Sequence, residues 1–210
     1  MTKPDVVILD YGSGNIKSAT QALIKAGAEV LVSDDLSRCE SARGVVVPGV
    51  GAFEHCVRAI KDLGADRMID KRLLAARPVL GICVGMQMLF ETGVEGGVET
   101  EGLGQWPGSV RKLEASVVPH MGWNSVNAPS ESILFSGIAD QYFYFVHSYA
   151  VTKFPTTFES SLPPPLVSIS NHEIDFVSAV ENGPLSAVQF HPEKSGDAGI
   201  SLLKNWVGTL

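Results

Sequence analysis

The sequence predicts an α/β fold, with an open, mostly parallel or mixed sheet flanked by helices, and three observations carry that expectation. In the first half, short β-branched runs alternate with apolar residues at helical spacing, as in strands joined by crossover helices. Glycine-rich turns stand where these runs end, at 12–15, 48–51 and 81–85. From residue 93 onward short runs are separated by Gly, Pro, Asn and Asp, which suits hairpins or mixed sheet instead of further crossover units.

Taken in order, residues 5–10 read as the first strand. After the turn at 12–15, Ile16, Ala19, Ala22, Leu23 and Ala26 share a helical face, and Gly27 stops that helix. Residues 29–32 and 44–47 read as the second and third strands. Residues 52–63 then carry Phe53, Cys56, Val57 and Ile60 along one face of a helix. A buried strand at 78–82 runs into Cys83 and a helix over 84–90. Strand candidates follow at 110–113, 117–118, 142–151, 166–170, 176–181 and 185–190, with a glycine-rich loop at 93–102, a stiff turn at the prolines 163–165 and a closing helix at 198–206. No linker and no internal repeat divides the 210 residues, so residues 1–210 are expected to form a single domain.

Bulk properties exclude several classes. A net charge of −7 argues against a nucleic-acid ligand, which needs clustered Lys and Arg. No apolar run approaches the roughly 18 residues of a membrane span, and the first residues carry no signal-peptide pattern, so a soluble, cytoplasmic protein is expected. Three cysteines, Cys39, Cys56 and Cys83, cannot all pair, which suits a reducing compartment.

Cys83 differs from the other two. The run Val79-Leu80-Gly81-Ile82-Cys83-Val84-Gly85 sets it between two glycines where an apolar strand becomes a helix, the pattern of a nucleophile elbow. A sharp turn leaves no room for flanking side chains and lifts the reactive atom above the sheet, so the sulfur is expected to be exposed. At a helix N-terminus it meets N–H groups that favour thiolate, whereas a free thiol near pH 7 is only a few per cent ionised. Cys39 and Cys56 read as small buried hydrophobes.

The strand at 185–190 ends in His191-Pro192-Glu193. In an extended stretch residues two apart point the same way, so imidazole and carboxylate can lie side by side. Imidazole would take the thiol proton and later protonate a leaving group, while the carboxylate fixes the ring. The remaining histidines, His55, His120, His147 and His172, show no ligand spacing, so neither a metal nor a cofactor is expected. The Gly12-Ser13-Gly14 turn lacks the third glycine of a dinucleotide fingerprint, since position 17 is Lys, and reads as structural or interface-forming.

The elbow at 81–85, the downstream His191-Pro192-Glu193 and the upstream Pro48-Gly49-Val50-Gly51 turn resemble the motifs of class I glutamine amidotransferases. Four further segments, 10–15, 119–124, 144–149 and 191–195, are similar to the glutaminase subunits of imidazole glycerol phosphate synthases, over essentially the whole chain. The resemblance implies a flavodoxin-like fold and hydrolysis of L-glutamine through a thioester on Cys83, with His191 and Glu193 as base and orienter. It also implies an oxyanion hole from the N–H of Val84 and one from Val50 or Gly51, and glutamine contacts from Gly51, Gln87, Glu95, Ser148 and Tyr149. Ammonia would pass to a cyclase subunit in histidine biosynthesis, the two forming a heterodimer through Asn15, His120, Met121, Trp123 and Lys194. Other readings are an amidotransferase subunit for a different acceptor, a non-catalytic regulatory subunit that keeps the fold, and a peptidase-like hydrolase with a similar elbow.

Overall fold

The computed structural model describes residues 5–155 and 164–210. The first half runs β1 (Asp5–Leu9), α1 (Ile16–Lys25), β2 (Glu29–Ser33), α2 (Leu36–Ser41), β3 (Gly44–Gly49), α3 (Phe53–Leu63), α4 (Ala65–Leu74), β4 (Val79–Cys83) and α5 (Val84–Gln87). The second half runs β5 (Phe90–Glu95), β6 (Val98–Glu101), β7 (Trp106–Lys112), β8 (His120–Ser125), β9 (Tyr142–His147), β10 (Tyr149–Ala150), β11 (Leu166–His172), β12 (Ile174–Asn182), β13 (Leu185–Val188), a 3₁₀ turn at Pro192–Lys194 and α6 (Gly196–Val207).

Seven strands form the central sheet in the order β11-β12-β13-β4-β3-β1-β2. β13, β4, β3, β1 and β2 are parallel neighbours, and β11 and β12 extend the sheet antiparallel. Every residue of β3 and β4 is buried, as expected of central parallel strands covered on both faces. Helix α1 packs with α6, and α4 with α2 and α3. A four-stranded sheet, β10-β7-β5-β6, and the β8–β9 hairpin complete the chain.

Helix α1 buries Ala19, Ala22 and Leu23, and α3 buries Phe53, Cys56, Val57 and Ile60, the faces their spacing predicts. The structure adds α2, capped by Asp35 accepting from the Ser37 N–H at 2.9 Å, and α4. Along α4, Ala65, Met68, Ile69 and Arg72 are buried. An arginine ends that stripe because its guanidinium donates to the carbonyls of Cys39, Ala42, Arg43 and Pro78, which a buried charge requires.

Several expectations are corrected. The helix expected over 84–90 stops at Gln87, and Phe90 opens β5. The expected loop at 93–102 is instead the β5–β6 hairpin, turned by Gly96 (φ 60°) and Gly97 (φ 82°). Residues 117–118 form no strand, whereas 120–125 do, and the strand expected at 142–151 breaks at Ser148. Pro163, the first residue of the stiff turn expected at 163–165, lies outside the described residues.

Candidate active site

Three neighbouring strand ends converge. In the parallel register Gly49 of β3 stands opposite Cys83 of β4, and Val188 of β13 opposite Ile82, so the 50–51 turn, Cys83 and the segment to His191 emerge at one carboxyl edge. Open α/β sheets present their ligand crevices at that edge.

Cys83 holds φ 56° and ψ −113°, a left-handed conformation that costs a non-glycine residue about 1–3 kcal/mol. The glycine after it is a steric necessity: a Cβ on Gly85 would sit 2.0 Å from the Val47 carbonyl oxygen. The residue is only 5 % exposed, which corrects the expectation of an exposed sulfur. Cys83 lines an open cavity of about 420 Å³ together with Gly51, Gln87, Glu95, His147, Tyr149, His191 and Lys194, so the sulfur is presented to a pocket and not to bulk water.

His191 is extended, but Pro192–Lys194 is a 3₁₀ turn and not the expected continuation of the strand, and it still brings the two side chains together. His191 Nδ1 lies 2.8 Å from Glu193 Oε1, both side chains being almost fully buried. The ring faces the same cavity as Cys83. Burial, the largest single influence, disfavours the imidazolium, but the contacts with Cys83 and Glu193 outweigh it and push His191 up to about 9. The segment hangs from β9: the His191 N–H donates to the Tyr144 carbonyl at 2.9 Å, the Tyr144 N–H to Ser195 Oγ at 2.9 Å, and Ser195 Oγ to the His191 carbonyl at 2.7 Å. A sulfur, an imidazole and an orienting carboxylate in this contact can perform nucleophilic acyl transfer.

Gln189 was not foreseen. Buried two residues before His191, its Nε2 donates to Cys83 Sγ at 3.8 Å. Its Oε1 accepts from Gln87 Nε2 at 3.0 Å, and Gln87 Nε2 also donates to the Tyr149 carbonyl at 2.9 Å. The available signal was a carboxamide in a mostly apolar strand run, since buried amides are retained where they find partners.

The 48–51 turn is held from below. Tyr11 OH donates to the Pro48 carbonyl. Ser13 Oγ donates to the Val50 carbonyl at 2.7 Å and accepts the Val50 N–H at 3.3 Å, while Cys56 Sγ donates to the same carbonyl at 3.4 Å. The Val50 N–H is therefore spent on Ser13 and not aimed at the sulfur. Cys39 and Cys56 are fully buried as expected, and burial pushes both thiols up, Cys39 to about 11.

Of the other expected glutamine contacts, Gly51, Ser148 and Tyr149 line the cavity, and Glu95 does so while accepting the Phe53 N–H at 2.8 Å. Among the expected interface residues, Met121 and Trp123 are 62 % and 57 % exposed. Lys194 lies at the cavity, 6.0 Å from the Tyr144 ring centre, and Asn15 is half-buried beside His191 and Glu193. His120 is a correction: it is buried, pairing its Nδ1 with His147 Nε2 at 3.0 Å, so its side chain is not available to a partner.

With this geometry in hand, a family model described as glutamine amidotransferase class-I matches residues 7–209. The chain belongs to the class I glutamine amidotransferases. It is 59 % identical to the imidazole glycerol phosphate synthase subunit HisH of Thermobifida fusca (strain YX), over 99 % of this chain and 100 % of that protein. Identity to the subunit of the same name from Nocardia farcinica (strain IFM 10152) is 54 %, with both chains fully covered. A solved glutamine amidotransferase shares the fold, with a TM-score of 0.71 at 17 % identity over 97 % of this chain and 98 % of that one.

Proposed function

We propose that this chain is the glutaminase subunit of an imidazole glycerol phosphate synthase, one amidotransferase domain that hydrolyses L-glutamine and passes ammonia to a cyclase subunit in the cytoplasm. The family match and the full-length relatives support the assignment. The observation that carries the chemistry is that Cys83 and His191 line one cavity while Glu193 holds the His191 ring at 2.8 Å. Among the described residues no helix is long and apolar enough to cross a membrane.

Glutamine lies in the cavity with its side-chain carbonyl over Cys83. Gln87, Glu95, Gly51 and the backbone at Ser148 and Tyr149 grip its amino-acid end; the Glu95 carboxylate suits the ammonium. The sulfur, its proton on His191 Nε2, attacks the amide carbon, and the carbonyl electrons move onto oxygen. As the intermediate collapses, the imidazolium gives its proton to the departing nitrogen and ammonia leaves. Water, deprotonated by the same imidazole, then cleaves the glutamyl thioester to glutamate and restores the thiol. Glu193 keeps Nδ1 protonated so that Nε2 faces the sulfur.

The Val84 N–H, free at the first position of α5, serves one side of the oxyanion, with Gly51 or Val50 on the other. Because Ser13 engages the Val50 N–H, the isolated chain is a poor glutaminase until the turn is reset, and docking of the cyclase on the face with Met121, Trp123, Lys194 and Asn15 is the event that resets it. A shielded route matters because ammonia released to water is protonated and lost as a nucleophile.

The test is glutamate release by wild type and Cys83→Ala, each with and without a cyclase subunit and its nucleotide ligand. Partner-dependent turnover that requires Cys83 is the expected result. Full turnover without the partner overturns the coupling, and a wild type inert to both glutamine and a glutamine-mimicking electrophile overturns the enzyme.

A further inference from the structure

Three histidines far apart in the sequence meet at the pocket wall, where His147 lines the cavity. His120 stacks on His172 with ring centres 4.3 Å apart, and Phe145 and Phe176 pack on the His120–His147 pair. His120 and His147 form a hydrogen-bonded line whose two ends can be read independently.

At the inner end, His147 Nδ1 lies 2.9 Å from the Tyr149 carbonyl. A carbonyl only accepts, so Nδ1 carries the hydrogen, and in a neutral ring Nε2 is then an acceptor. His120 Nδ1, 3.0 Å away, must donate to it. At the outer end, Asn124 Oδ1 accepts the Ser125 N–H at 2.8 Å and Asn124 Nδ2 donates to the Asn171 carbonyl at 2.8 Å. That fixes the amide, and its Nδ2 faces His120 Nε2 at 3.2 Å as a donor. His120 Nε2 is therefore an acceptor and its Nδ1 a donor. Both ends give the same answer: two neutral rings, each with hydrogen on Nδ1, every bond pointing from Asn124 toward Tyr149. A proton added to either ring would set donor against donor, and burial keeps both rings neutral, at about 4 for His120 and about 3 for His147.

The line ends on the atom that also holds Gln87. The Tyr149 carbonyl accepts from both His147 Nδ1 and Gln87 Nε2, which fills its two lone pairs. With Gln87 Nε2 shared between Tyr149 and Gln189, the Gln87 carboxamide has one orientation, its oxygen left for a ligand's donor.

We propose that His147, oriented by His120 and Asn124, is a positioning residue of the glutamine pocket: it fixes the Tyr149 carbonyl and, through it, the Gln87 carboxamide that receives the substrate. This rests on the glutaminase reading for its substrate, but the tautomer line stands on its own. The pair makes its hydrogen bonds to Asn124 and the Tyr149 carbonyl and none to Cys83, so it governs binding more than chemistry.

The experiment has two arms on the full chain. In the first, ¹⁵N spectra of the imidazole rings at neutral pH should show both His120 and His147 protonated at Nδ1 and bare at Nε2; either ring bare at Nδ1, or cationic, overturns the line. In the second, glutamine kinetics are measured with the cyclase subunit present. His147→Ala should raise KM about tenfold with kcat within about threefold, the scale of one lost hydrogen bond. His147→Asn, whose amide nitrogen falls where Nδ1 was, should restore KM, while His147→Gln, whose donor is displaced outward, should not. Unchanged KM in His147→Ala, or Asn no better than Ala, overturns the positioning role. A wild type without glutaminase activity would sink the functional reading instead and leave the first arm to decide the tautomers.

Discussion

The side-chain amide of Gln189 donates to the sulfur of Cys83 from 3.8 Å, at the cavity that His191 also lines. A donor on a sulfur that becomes anionic is worth more in the charged state, about 1.5–3 kcal/mol for bonds to charged groups, and a long contact falls at the low end. Gln189→Leu should therefore lower kcat for glutamine about tenfold. It should also slow labelling by a glutamine-mimicking electrophile at fixed pH. Labelling at the wild-type rate would remove the amide from the account.

Replacing the nucleophile separates activity from stability. Cys83→Ala should reduce glutaminase turnover by about 10⁴-fold or more, as loss of a nucleophile from a triad does. Because position 83 sits at φ 56°, Cys83→Gly, equally inactive, should be more stable than Cys83→Ala by about 1 kcal/mol in chemical denaturation. Equal midpoints would show that the elbow carries no such strain.

Glu193→Gln keeps the shape of the orienter and removes its charge. Turnover should fall by about 10²–10⁴-fold, the range for a triad whose ring is no longer held in the correct tautomer. His191 is raised from 6.5 to about 9 in the fold, so the stability it contributes is complete below about pH 6.5 and is lost as pH rises through about 9. Denaturation midpoints measured from pH 6 to pH 10 should show that decline in wild type and a flatter course in Glu193→Gln.

Ser13 ties down both polar groups of Val50. Ser13→Ala removes both hydrogen bonds to Val50 and the one shared with Cys56 Sγ, and costs about 1–3 kcal/mol of stability. It also frees the Val50 N–H to turn toward the sulfur. Basal glutaminase activity without the cyclase should rise about three- to tenfold. A variant that is less stable but no more active would show that the hydroxyl restrains nothing that matters to the reaction.

The acid side should carry the opposite sign. Burial, helped by the neighbouring imidazoles, depresses His120 and His147 to about 4 and about 3, so the unfolded chain takes up protons that the folded chain refuses. Stability present above about pH 6.5 should drain away as pH falls toward those values. His147→Asn should flatten the acid limb of a midpoint-against-pH curve, even though it lowers the plateau.

What could be read in advance was local. The apolar periodicity of α1 and α3, the glycines around Cys83 and the adjacency of His191 and Glu193 are all written within a few residues of one another. Helix α4 escaped because Arg72, a charge, ends its buried stripe, and only the carbonyls of 39, 42, 43 and 78 explain it. Strand β8 and the β5–β6 hairpin escaped because their partners, not their own propensities, make them strands. The same reason hid Gln189 from Cys83 and His120 from His147, and it placed His120 at the surface in expectation when the fold had turned it inward.

Tyr144 sits with its ring 5.9 Å from the exposed Trp123 ring and its carbonyl on the N–H of His191. One residue of a surface hairpin thus spans the thickness between solvent and proton-transfer chemistry. Any molecule that grips the indole holds the long arm of a lever, and the short arm ends at the imidazole.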